Sequence, residues 1–235
     1  MYTEYVPPQE YELRVNPPRI LLVPGFGNKG SAFAGLRAEL ESMGDTVTVA
    51  DNCSMQSTYD ALQSCGKTDT VTAYSGGAVY AIRSLRKMVE DKEIDTKSLP
   101  HKLLLVAPAG IVLQGDTATR FVRHSVESYV FDEQIRVHNQ QQGTIGDMLR
   151  DPITTIQNAK DITTADLRKD IAFLLAHDFQ IEILALTEDE VFREVDIQSA
   201  GHHLQVKVHT ESGRHGAFPV YPKRYAGVLH EFARR

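Results

Sequence analysis

Residues 69–82, Asp-Thr-Val-Thr-Ala-Tyr-Ser-Gly-Gly-Ala-Val-Tyr-Ala-Ile, limit what this chain can fold into more than any other stretch. Thr70, Val71 and Thr72 form a β-branched run suited to a buried strand, which gives way to Ser75. Val79, Ile82, Leu85 and Val89 then recur on one helical stripe. The pattern predicts a serine in a turn that converts strand to helix almost at once. Such a turn is sharp and strained, and it needs small residues two before and two after the serine so that neighbouring backbone does not collide. Ala73 and Gly77 stand at those positions, with Gly76 between. Serine among glycines is common in ordinary turns, so the flanking strand and helix are what make Ser75 a candidate nucleophile.

The rest of the chain alternates around this turn. Arg19-Ile-Leu-Leu-Val23 is a continuous apolar run ended by Pro24-Gly25, the pattern of a strand covered on both faces. The glycine-rich loop to Gly30 leads into a helix with Phe33, Leu36, Leu40 and Met43 on one face and Ser31 as its expected cap. Gly25, Gly27 and Gly30 have dinucleotide-loop spacing, yet the next strand, Thr46–Ala50, reaches an acid only at Asp51, too far on for a ribose contact. A short helix around Tyr59–Leu62 precedes the serine turn, and strands are expected at Lys102–Ala107, Ile181–Leu186 and Leu204–His209. Tyr225, Val228, Leu229 and Phe232 mark a closing helix. Tyr11–Val15, between two Pro-Pro pairs, reads as a short edge strand. This order predicts an α/β fold: a mostly parallel central sheet with helices on both faces.

About 70 residues separate the strand ending at Ala107 from the one starting at Ile181, more than a crossover needs. Helical spacing at Val122, Val126, Tyr129 and Val130 and a loop-like Gln140–Gly146 suggest a small helical cap over 114–164, dividing a core of 1–113 and 165–235. Leu167, Ile171, Leu174 and Leu175 form a stripe expected to pack on the sheet.

The length suits one domain with an insertion. No window approaches a membrane span, and the start lacks the basic and apolar regions of a signal peptide, so a cytoplasmic protein is expected. A formal charge of −6 argues against a nucleic-acid partner. Cys53 and Cys65 have neither disulfide-framework nor metal spacing, and no cofactor or metal is expected.

Four segments together resemble the α/β-hydrolase family: Pro24-Gly-Phe-Gly, Ala73-Tyr-Ser-Gly-Gly, Glu188-Asp-Glu-Val-Phe and Arg214-His-Gly. The order serine, acid, histidine is that family's order. The resemblance implies Ser75 as nucleophile, His215 as base and Asp189 as the acid that orients it, with backbone N–H groups of Phe26 and Gly76 forming an oxyanion hole. Glu188 and Glu190 are nearby rivals, and Asp116 stands where some relatives place the acid. The other eight histidines are read as structural or solvent-facing. Pro24-Gly25 replaces the usual His-Gly, and Ala73 the usual first glycine, which bears on substrate class. The implied activity is that of a serine hydrolase acting on a small-molecule acyl substrate. A carbon–carbon bond hydrolase, a thioesterase and a non-catalytic ligand-binding protein are the alternatives.

Overall fold

The computed structural model describes residues 16–64, 68–91, 94–111, 137 and 151–235. Among the described residues six strands run β1 (Arg19–Val23), β2 (Thr46–Val49), β3 (Thr70–Tyr74), β4 (Lys102–Val106), β5 (Gln180–Leu186) and β6 (Lys207–Glu211). They form one sheet in the order β2-β1-β3-β4-β5-β6, with every neighbouring pair parallel. The helices between them are α1 (Ala34–Ser42), α2 (Met55–Ser64), α3 (Gly77–Glu90), α4 (Pro152–Thr164), α5 (Arg168–Leu175), α6 (Glu194–Leu204), a single turn α7 (Ala217–Val220) and α8 (Pro222–Arg234).

The continuous apolar runs are explained by burial on both faces, because alternate residues of a strand point in opposite directions. Leu21, Val23, Val71, Leu103 and Leu105 enter one core, shared with Ile82 and Leu85 of α3 and Ile171 and Leu174 of α5. Ile20, Leu22, Leu104 and Val106 enter the other, shared with Leu36 and Leu40 of α1 and Tyr225, Leu229 and Phe232 of α8. Each such side chain contributes about 1.5–3 kcal/mol on burial, so the central strands are the rigid floor on which the loops at their C-terminal ends are placed.

Several boundaries differ from the sequence expectation. Gly30–Phe33 is a 3₁₀ turn, so Ser31 lies inside it, and α1 begins after Phe33 with no side-chain cap. α2 is longer than the pattern around Tyr59–Leu62 implied. The last strand begins at Lys207, because α6 continues through Leu204 and ends on Gln205, whose φ of +57° reverses the chain first. Tyr11–Val15 and the helical pattern at Val122–Val130 lie outside the described residues, as does Cys65, whereas Cys53 is buried in the core. Among the described residues no helix is long and apolar enough to cross a membrane.

Candidate active site

β3 stops at Tyr74 and α3 starts at Gly77, so Ser75 and Gly76 make the whole turn. Ser75 has φ +52°, a left-handed conformation that costs a residue with a Cβ about 1–2 kcal/mol. Its neighbours impose it: Ser75 N donates to Val106 O at 2.9 Å, and Ser75 O accepts from Ala78 N at 3.1 Å and Ala109 N at 3.2 Å. The small residues are needed where the sequence has them. A Cβ on Gly77 would lie 2.8 Å from the Val23 carbonyl oxygen, and one on Gly25 would lie 2.8 Å from Tyr74 Cδ1 and 3.0 Å from Ser75 Cβ. The first glycine loop therefore packs directly on the serine turn. It brings Phe26 N within 3.4 Å of the point where a Gly76 Cβ would stand.

Asp189 sits just past β5 and His215 just past β6, on adjacent strands of the sheet. His215 Nε2 is 2.9 Å from Ser75 Oγ, and its Nδ1 is 2.9 Å from Asp189 Oδ2. The Asp189 side chain is fully covered and that of His215 is 5% exposed. Asp189 Oδ1 accepts from the backbone N–H groups of Val191 and Phe192, each at 2.8 Å, which fixes the carboxylate and leaves Oδ2 for the ring. A carboxylate at Nδ1 favours the tautomer with its proton there, so Nε2 presents a lone pair to the serine hydroxyl. The arrangement can remove the Ser75 proton as the oxygen attacks a carbonyl carbon.

The two acidic rivals are placed elsewhere. Glu190 Oε2 accepts from His215 N at 3.2 Å, and Glu188 Oε1 accepts from Ser212 Oγ at 3.2 Å. Asp116 lies outside the described residues, as do His124 and His138. The other histidines are held away from Ser75: His101 by Thr96 O, His177 by Phe173 O, His203 by Ser199 O, His209 by Glu182 and His230 by Asp45. His202 is exposed on α6. Among the described residues no group of three or more His, Cys, Asp or Glu side chains could hold a metal ion.

Two aromatic residues of the site have no signature in the sequence pattern. Tyr74 stacks beneath the His215 ring, with centroids 5.5 Å apart, and its hydroxyl donates to the His215 carbonyl. Burial, reinforced by the Asp189 and Glu190 charges, pushes the Tyr74 hydroxyl well above its usual range, so it remains a donor. Phe192 meets the ring edge-on at 5.2 Å. The imidazole is thus fixed at both nitrogens, at its backbone carbonyl and on two sides. Tyr74 precedes the serine and Phe192 follows the acid by three, so only their adjacency to the motifs marked them.

No family model matches the chain, and no curated protein sequence does. Solved structures do match. A hydrolase from Oleispira antarctica superposes with a TM-score of 0.68 at 12% identity over 93% of this chain and 91% of its own. A bromoperoxidase from Bacillus anthracis gives 0.65 at 13% over 93% and 92%. An esterase from Exiguobacterium antarcticum gives 0.63 at 13% over 94% and 93%. Likeness at such identities establishes the fold: the chain has the α/β-hydrolase fold, with an all-parallel six-stranded sheet.

Proposed function

We propose that this protein is a serine hydrolase that cleaves a small carboxylic ester or related acyl compound through an acyl-enzyme. The observation that carries the proposal is the continuous line from Ser75 Oγ to His215 Nε2 and from His215 Nδ1 to Asp189 Oδ2, both 2.9 Å, in a strained strand-to-helix turn. A serine hydroxyl is a weak nucleophile near neutral pH and needs a base within hydrogen-bond reach. His215 Nε2 takes the hydroxyl proton as Oγ bonds to the carbonyl carbon, and the carbonyl π electrons move to oxygen. The Phe26 and Gly76 N–H groups donate to that oxyanion. The intermediate collapses, the carbon–leaving-group bond breaks, and the imidazolium returns its proton to the leaving oxygen. A water then repeats the sequence on the acyl-enzyme, releasing the acid.

Residues 114–164 act in this proposal as a cap on a core of 1–113 and 165–235. Leu167 N donates to Gly110 O at 2.8 Å, so the described ends of the insertion meet beside the serine turn, where Ala109 N reaches Ser75 O. The likeness to a carboxylesterase from Nitrososphaera gargenis and an esterase from Exiguobacterium antarcticum supports the ester reading. The test is a fluorophosphonate probe followed by peptide mass mapping. The expected result is a single adduct on Ser75 that Ser75→Ala abolishes; no adduct, or one on another residue, overturns the proposal.

A further inference from the structure

One face of α4 docks on the serine turn. Asn158 and Ile162, at i and i+4, share a side of α4, and Ala165 follows directly after its last residue, Thr164. Asn158 Oδ1 accepts from the Tyr80 hydroxyl on α3 at 3.1 Å. Ala165 Cβ stands 3.1 Å from where a Cβ on Gly110 would be, and Leu167 N is bonded to Gly110 O. Ile162, between these anchors, is 4% exposed. It lies against Gly76: an ideal Cβ there would be 2.5 Å from Ile162 Cδ1, 3.1 Å from its Cγ1 and 3.4 Å from Phe26 N. Ile162 therefore fills the space that a side chain after the nucleophile would otherwise take, beside the two amides assigned to the oxyanion. As a β-branched residue on a helix, Ile162 has one strongly preferred χ1, which holds its Cγ1 beside Gly76.

We infer that Ile162 is a specificity-determining residue that walls the acyl side of the site and restricts it to short acyl groups. The inference rests on Ser75 being the nucleophile. With the oxyanion at Phe26 and Gly76, the leaving group must lie at His215 Nε2, the atom that protonates it. The acyl chain is directed to the remaining side, away from the imidazole, whose ring contacts are Tyr74 and Phe192. Ile162 lies against Gly76 rather than against the His215 ring, and each methylene that an apolar wall excludes is worth about tenfold or more in kcat/KM.

The test uses full-length Ile162→Ala, p-nitrophenyl acetate and p-nitrophenyl octanoate, and fluorophosphonate labelling. The octanoate-to-acetate ratio of kcat/KM is expected to rise at least about tenfold over wild type. An unchanged ratio in a variant that is folded by circular dichroism and labelled on Ser75 overturns the inference alone, whereas a wild-type protein without a Ser75 adduct overturns the nucleophile reading and this one together. A second arm needs no cavity-forming change. Gly76→Ala should lower kcat/KM by pushing a methyl into Ile162 Cδ1, and adding Ile162→Val, which deletes that atom, should restore most of the loss. A double variant no better than Gly76→Ala overturns the contact on which the inference stands.

Discussion

His215 with Asp189 and His230 with Asp45 are two histidine–carboxylate pairs of nearly equal length, 2.9 and 2.8 Å through Nδ1, with the His215 side chain 5% exposed and that of His230 22%. In both the carboxylate side chain is fully covered. The difference lies at the far side of each ring. His215 turns Nε2 to a serine held at φ +52°, whereas His230 belongs to α8 and clips it to Asp45, in the tight connection from α1 to β2. The carboxylates also differ. Asp189 Oδ1 takes two backbone N–H groups, while Asp45 Oδ1 is buried with no hydrogen-bond partner. A preorganised carboxylate can offset a charge that forms on its imidazole during a reaction, and a half-satisfied one is suited only to a static clamp. A histidine–acid pair in this molecule therefore recurs as a joining device, and under the proposed function one of them is made reactive by what faces its second nitrogen.

The sharpest way to break this comparison is to remove that facing group. Ser75→Ala should lower kcat by about 10⁶-fold, the size of loss seen when the nucleophile of a comparable triad is deleted. Its melting temperature should barely move, since alanine keeps the Cβ and its backbone strain and only a hydroxyl is lost. Retention of a tenth of wild-type turnover would dissolve the distinction between the two pairs. The same substitution placed in both pairs sharpens it further. Asp189→Asn should cost about 10⁴-fold in kcat, because an amide can hold the wrong tautomer and carries no charge to offset the imidazolium. Asp45→Asn should leave kcat/KM within about twofold and instead lower stability by about 1 kcal/mol, roughly 2–4 °C in melting temperature for a chain of this size. Steady-state kinetics and thermal denaturation on the same preparations check both, and a silent Asp189→Asn would return the acid role to Asp116.

The contrast also explains which parts of the molecule were legible in its sequence. Strand runs such as Ile20–Val23 and Leu103–Val106 are apolar throughout because both faces are covered, and that is a one-dimensional signal. Ser75, Asp189 and His215 come together because each follows a strand, and parallel strands deliver their C-terminal loops to one edge. Tyr74 and Ile162 were not found, since their roles depend on which ring or backbone atom lies across a gap from them. The start of β6 was misplaced for a similar reason: Leu204 and Val206 fit a strand or a helix end, and the left-handed Gln205 decides between them. No periodicity could separate His215 from His230, because both pairs join residues distant in the chain.

A third pair, His209 with Glu182, gives the smallest effect and the only one that depends on pH. Glu182 lies on β5 and His209 on the edge strand β6, 2.5 Å apart through Oε2 and Nε2, while Gln180 Nε2 donates to Oε1 at 3.0 Å. Burial is the largest single influence on Glu182 and acts to raise its pKa, but the His209 and Gln180 hydrogen bonds and the nearby Lys207 charge together pull it below its ordinary 4.5. A carboxyl whose pKa is depressed on folding contributes stability above its unfolded pKa and loses it as the pH falls through the folded value. Glu182→Gln should therefore be less stable than wild type at pH 7, by under about 1 kcal/mol, because its partner His209 is partly exposed on the edge strand. The gap should begin to shrink as the pH falls below roughly 4.5 and should close only below the depressed folded value, where the wild-type carboxyl is protonated too. Urea unfolding at pH 7, 4.5 and 3 reads this directly. A gap of constant size at all three would mean that Glu182 acts by packing alone. A change in turnover of an ester substrate at pH 7 beyond about twofold would mean that this pair, unlike His230 with Asp45, is coupled to the proposed site.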